Sequence, residues 1–340
     1  MIFLDEAFAA KKEDAPFKSE YLDKLAEGLK LDDETFASHF GHEAGGMEIC
    51  YESEVAWNSL MHEMQVAEFK SLQEGVLGTI WEKIKEWAGK IVAFFVKIWK
   101  SITAWVSETF HKLMGDRDAD LRKKLAGITA KPVKMTMKGD FAKAETASQA
   151  VKDLKAAVAS AYKTAQSALN DKTLALSDDK NDKFQAACDK VEADYDKVIA
   201  KLDEKMEKEH EVSIKPSDVM NELTGFDKRI KGLVDVLNDQ KSLIETGTKA
   251  AEAAKARAEK ASAKKQDKLD KAAEKDKDLD KPSAELKEAQ KDVRNKVAIA
   301  NFCRKLVNNA ITIAQKSKAQ IMYSHSVARS AAKKMIAEAK

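Results

Sequence analysis

The sequence predicts an all-α protein, a long amphipathic helix followed by an elongated antiparallel helical bundle. Three observations carry this expectation. Only 13 Gly and 4 Pro punctuate 340 residues, while Ala, Lys, Glu, Asp and Leu dominate. Those are mostly helix formers, and β-branched runs are few. Charged residues make up 34% of the chain and aromatics 7%, a balance that suits long, half-exposed helices better than one large globular core. Apolar residues also recur at helical spacing over much of the length, most strongly at residues 79–113.

Four stretches are expected. Residues 1–74 form an acidic leader and residues 75–114 a Trp/Lys-rich amphipathic helix. Residues 115–140 are a connector, and 141–340 a helical bundle with a basic last helix. Within the leader, "FLDEAFAAKK" forms a short helix ended by Pro16, and "SEYLDKLAEG" a second with Gly28 as its C-cap. "HFGHEAGG" reads as a loop. Residues 47–73 place Val55, Leu60, Met64, Val66, Phe69 and Leu72 at roughly helical spacing.

The strongest element is 79–113. At about 100° per residue, with Ile80 as zero, Ile84, Trp87, Ile91, Phe94, Phe95, Ile98, Ile102 and Trp105 fall between about −40° and 60°. Trp81, Trp99 and Val106 widen the apolar face. Glu82, Lys85, Glu86, Lys90, Lys97 and Lys100 lie on the other side. The charge-free runs there, such as Ile91 to Val96, are far short of the roughly 20 residues a membrane span needs.

The connector carries Gly115, Gly127, Pro132 and Gly139. Helices are then expected at about 141–170, 177–211, 217–245, 248–279 and 283–338. Ser177 caps the second. Pro216-Ser217 and Pro282-Ser283 start the third and fifth, and Gly247 separates the third from the fourth. The fourth has few large apolar residues and reads as a solvated or frayed arm. The fifth regains a core stripe through Val293, Val297, Phe302, Leu306, Ile313 and Ile321. No sheet is expected.

Charge is unevenly spread. Residues 1–74 hold 17 acids and 6 bases, a net −11, so the remainder carries +2 − (−11) = +13. Residues 293–340 alone hold 10 bases against Glu338, a net +9. Such asymmetry between ends points to a tail or pro-segment and to an anionic partner. Cys50, Cys188 and Cys303 are too few and too far apart for a disulfide framework or a zinc spacing, which implies a reducing compartment. "MIFLDEAFAAKKEDAP" has acids at Asp5 and Glu6 and no apolar core long enough for a secretory signal.

No enzyme chemistry is legible, and neither a cofactor nor a metal is implied. His39 and His42 with Glu43 sit in a glycine-containing loop and lack the helical H-E-x-x-H order. His62, His111, His210 and His325 are isolated. "SDDKND" lacks the glycine and terminal Glu of a calcium loop. There is no phosphate-cradling glycine loop, dinucleotide fingerprint or nucleophile elbow.

Two features carry functional readings. The apolar face of the Trp helix either packs on other helices or partners, or lies in a membrane interface. The basic residues Arg294, Arg304, Lys305, Lys316, Lys318, Arg329, Lys333 and Lys334 form either a solvated face or a phosphate-neutralising surface. Few aromatics interleave with them, so base stacking is not implied.

At the junction, Leu72-Gln73-Glu74-Gly75 is echoed by Leu25-Ala26-Glu27-Gly28. Similar words recur at Leu286-Lys287-Glu288-Ala289 and Ile336-Ala337-Glu338-Ala339. These resemble the cleavage pattern of prohead proteases in large myovirus-type tailed bacteriophages, and the layout resembles their internal head proteins. The resemblance covers layout and four-residue words. It implies a non-enzymatic virion protein that enters the prohead with capsid or scaffold proteins, is trimmed by the prohead protease and stays in the head against DNA. The acidic leader would then mask a +13 product until assembly. The alternatives are a membrane-active helical protein, interfacial or pore-forming, and a helical scaffold or adaptor.

Overall fold

The computed structural model describes residues 46–74, 77–110, 113–115, 118–138, 142–171, 178–203, 209–273 and 284–339. Among them are seven α-helices, one π-helical turn and two short strands. In chain order these are α1 (Gly46–Glu74), α2 (Leu77–Trp105), the π turn Val106–Phe110, α3 (Ala119–Ala126), β1 (Val133–Lys138), α4 (Ala142–Asn170), α5 (Asp178–Asp203), β2 (Glu209–Ile214), α6 (Pro216–Ala273) and α7 (Ala284–Glu338). The fold is all-α. The elements expected at residues 1–45, and the Ser177 and Pro282-Ser283 caps, lie outside the described residues.

An antiparallel pair, α6 and α7, forms the spine. Phe226 stacks on His325 at one end, and Arg257 reaches Glu288 and Asp292 at the other. The 58 residues of α6 extend about 87 Å at 1.5 Å per residue. The break expected at Gly247 does not occur. A Cβ at that position would stand 2.4 Å from the Phe95 ring, so the glycine lets α2 approach the unbroken α6 backbone. That close approach compensates for glycine's cost in a helix interior, about 1 kcal/mol. Nor is the following stretch, as far as its side chains are described, an unpacked arm. Ala250, Ala251, Ala254, Ala258 and Ala261 are all buried, because a small-residue face permits close helix packing without large side chains.

The start of α6 also differs from expectation. Pro216, not Ser217, is its first residue, and the Lys215 carbonyl accepts from the Asp218 and Val219 N–H groups. Lys215 therefore holds the capping position. Proline fits the first helical turn because its missing donor would have been unpaired there.

Three expectations fail together at the ribbon, the first being that the chain holds no sheet. The second bundle helix ends at Asp203 rather than 211, and the connector contains a helix and a strand. β1 and β2 pair antiparallel, with Val133 opposite Ile214 and Met137 opposite His210. Val133, Met137 and Ile214 are buried, while Lys134 and Thr136 face solvent, the period-two alternation of a half-buried strand. An isolated two-stranded ribbon is marginal in water. Here its apolar face packs on Leu125, Val219, Leu223, Ala331, Ala332 and Met335, from α3, α6 and α7.

The Trp helix packs into the bundle that follows it in the chain. From Trp81 to Trp105 the apolar face of α2 is buried in the main core with α1, α6 and α7. The π turn then carries Val106 and Phe110 inward, and Phe110 meets Trp105 edge to face at 5.1 Å. α1 and α2 form an antiparallel hairpin, so a boundary at residue 74 divides one packed unit. α4 runs parallel to α6, with a hydrogen bond from Gln166 to Thr246 and an ion pair between Lys155 and Asp239. α5 runs parallel to α7, through Glu192–Lys305 and Leu202–Gln320.

Candidate functional site

Glu74 ends α1 and Leu77 begins α2, so the word Leu72-Gln73-Glu74-Gly75 lies at the link of the hairpin. The second word, with Leu25, Glu27 and Gly28, falls outside the described residues, as does Gly75. The words further on differ in setting. Leu286–Ala289 lies inside α7, with Ala289 3% exposed, so a protease would have to unwind a packed helix to reach it. Ile336–Ala339 is at the exposed end of the same helix.

The hairpin is closed by specific bonds. The Trp87 indole N–H donates to the Leu60 carbonyl at 2.6 Å, which satisfies the polar end of a ring only 4% exposed. Lys90 Nζ reaches Glu63 at 2.8 Å across the surface. Trp57 is 2% exposed and tilts against Phe94 with centroids 5.5 Å apart. At the start of α1, a Cβ on Gly46 would meet Trp105 and Ile311 at 2.8–2.9 Å, so the backbone itself is in contact with α2 and α7.

α1 also carries polar bonds to α7. Ser53 donates to Asn308 Oδ1 at 3.0 Å, and the Cys50 thiol to the Asn308 carbonyl at 3.3 Å. Arg304, a residue expected to contact nucleic acid, lies in this interface with its side chain 3% exposed. Its guanidinium is bonded to Glu54, donates to Asn301 Oδ1 at 3.1 Å and lies over the Trp57 ring. It therefore presents nothing to a phosphate, which corrects that expectation.

The other basic residues of α7 divide by helical angle. With Arg294 at zero, Lys305, Lys316 and Lys334 fall within about 40° of it, whereas Lys318, Arg329, Arg304 and Lys333 lie at about 240–300°. Arg294, Lys305 and Lys334 are exposed and Lys316 half-buried. Lys305 pairs with Glu192 at 3.3 Å, and Lys334 donates to the Lys134 carbonyl at 3.0 Å. On the second side, Lys318 lies 5.7 Å over the Phe110 ring, and desolvation there lowers its pKa. Arg329 forms an ion pair with Asp118 at 3.1 Å, and Lys333 is exposed. The eight residues do not make one surface.

On the Trp helix, Trp81, Ile84, Trp87, Ile91, Phe94, Phe95, Ile98, Trp99, Ile102 and Trp105 are all buried within the chain. The Ile80 side chain lies outside the described residues. No helix among the described residues is long and apolar enough to cross a membrane. No group of three or more His, Cys, Asp or Glu there could hold a metal ion, and His39, His42 and Glu43 are not among those residues.

The structure assembles one cluster that the sequence did not announce. His325 Nε2 lies 2.6 Å from Asp118 Oδ2, and the imidazole stacks on Phe226 at 3.7 Å. The Arg329 guanidinium pairs ionically with the other Asp118 oxygen, which accepts no hydrogen bond. One turn along α6 from Phe226, the buried Glu222 accepts from Arg229 at 2.5 Å. Burial pushes the Glu222 pKa up, and Arg229 only partly counters it. Asp118 and His325 are 207 residues apart, so no local spacing could have revealed the pair. The cysteines are free thiols; burial raises Cys50 to about 11, Cys188 to about 12 and Cys303 also upward, which disfavours the reactive thiolate.

Comparison with protein-family models, curated proteins and solved structures finds no match to this chain.

Proposed function

We propose that the chain is a non-enzymatic structural protein of a virion, carried inside the head of a large myovirus-type bacteriophage and processed at Glu74–Gly75. Its partners are capsid or scaffold proteins, the prohead protease and DNA held without sequence preference. It would pass from the host cytoplasm to the head interior. One observation carries this reading: a protease-like word, a reversal of charge and the link between two helices coincide at a single peptide bond. The burial of the Trp face supports a packing role for α2. A membrane role would require α2 to leave a core in which Phe95, Ile91 and Ile102 are fully buried.

The DNA face on this reading is the stripe of Arg294, Lys305, Lys316 and Lys334. Residues 1–45 hold 11 acids and 5 bases, a net −6, so residues 46–340 carry +2 − (−6) = +8 with every described element retained. Residues 46–340 are expected to bind duplex DNA more tightly than the full chain. The logarithm of affinity should fall linearly with that of salt concentration, as counterion release requires. The test is a titration of both forms at several salt concentrations. Equal affinities or a flat salt dependence would contradict the DNA role.

A further inference from the structure

We infer that a cut at Glu74–Gly75 nicks the protein without releasing residues 46–74, which stay bound as a helix clamped between α2 and α7. This rests on the processing reading above. Hydrolysis adds one water across the Glu74 carbonyl carbon and the Gly75 nitrogen, leaving a carboxylate on α1 and an ammonium ahead of α2. Net charge is unchanged. Each new charge opposes its helix dipole, but that effect is confined to the terminal turn.

The clamp lies elsewhere. Its described contacts run from Gly46 to Met64, ten or more residues before the cut. Three of them are costly to abandon. The Trp87 N–H would lose its acceptor on Leu60, Arg304 its carboxylate on Glu54, and Asn308 its Ser53 hydroxyl. Release would break these bonds and expose to water the apolar surface packed around them, which is unfavourable in proportion to its area. Trp57 and Ile49, now 2% and 1% exposed, would leave their sites open.

Retention of α1 changes the net charge of the cut protein. The −11 of residues 1–74 cannot be shed at Glu74, because the clamp holds it. Only a second cut, at Glu27–Gly28, frees acidic chain. Residues 1–27 hold 7 acids and 4 bases, a net −3, so the doubly cut protein carries +2 − (−3) = +5 rather than +13.

The experiment inserts the recognition sequence of a site-specific protease between Glu74 and Gly75 of the full chain. After complete cutting, judged on a denaturing gel, the expected result is one-to-one co-elution of both pieces in native gel filtration with an unchanged helical circular-dichroism spectrum. Separation of the pieces would overturn the inference. In the cut Trp57→Ala protein the smaller piece should be lost at least tenfold more readily. Equal retention in that variant would overturn the assignment to this interface. If that variant is unfolded before cutting, Ser53→Ala with Lys90→Ala gives the same comparison at the polar contacts. The added protease acts whether or not the natural cut occurs, so failure here is distinct from failure of the processing reading, which native N-termini report.

Discussion

The guanidinium of Arg304 lies over the indole of Trp57, 5.4 Å from the ring centroid. One residue belongs to α7 and the other to α1, on opposite sides of the charge reversal at residue 74. The pair joins the acidic segment to the basic helix that it was expected only to mask. Trp57→Ala should destabilise the protein by about 3–5 kcal/mol, the range for emptying a buried aromatic site. A double-mutant cycle with Arg304→Ala should give a coupling of about 0.5–2 kcal/mol for a desolvated cation–π pair. Urea unfolding of the four proteins measures both; zero coupling would mean that the stacking is incidental.

Two helix glycines should respond with opposite signs. Gly89 has nothing within 4 Å of an added Cβ, so Gly89→Ala should stabilise α2 by up to about 1 kcal/mol. Gly247→Ala sets a methyl against the Phe95 ring and should cost about 1–3 kcal/mol through overpacking. Thermal unfolding of the two variants decides it. Stabilisation of both would show that α2 and α6 are not in close approach.

Two carboxylates should shape the acid side of the stability curve in opposite directions. Asp153 is held below its ordinary value, chiefly by its bond to Lys201. Its contribution is present above the unfolded pKa near 3.8 and is lost as pH falls through the lower folded value. Burial raises Glu222, so its ionisation opposes folding above the raised value. That penalty disappears as pH falls toward the unfolded value near 4.5. Asp153→Asn should therefore make acid unfolding less steep, and Glu222→Gln should make it steeper. Glu222→Ala leaves Arg229, 16% exposed, without its carboxylate and should cost about 3 kcal/mol. Unfolding free energies between pH 3 and 7 test each sign.

The basic residues of α7 should separate by role. Lys316→Ala and Arg294→Ala should each lower the salt slope of DNA binding by about one, the effect of losing one phosphate contact. Arg304→Ala should leave that slope unchanged and lower the unfolding free energy instead, because the side chain is buried against α1. A changed slope for Arg304→Ala, with unchanged stability, would place Arg304 on the DNA face.

The parts of this fold that were legible in the sequence are those set by local periodicity. The helical run around Trp81–Trp105 and the proline start near residue 216 depend on neighbours in the chain. The ribbon had a local sign as well. Val133, Met135 and Met137 alternate with Lys134, Thr136 and Lys138, but the partner strand begins only at Glu209. The passage of α6 through Gly247 had no such sign, since its reason is the distant Phe95 ring. Arg304 was grouped with the phosphate contacts because charge is visible in a sequence, whereas the acid and the indole that bury it come from a helix 250 residues away. The His325–Asp118 pair was hidden for the same reason.

The central claim is that this protein is cut at the bond joining its acidic and basic parts. Intact-mass measurement and N-terminal sequencing of the protein from its native source test it most directly. Processing at this bond gives a chain that begins at Gly75, accompanied in equal amount by a piece that ends at Glu74. A single uncut chain beginning at Met1 or Ile2 in mature particles would contradict it.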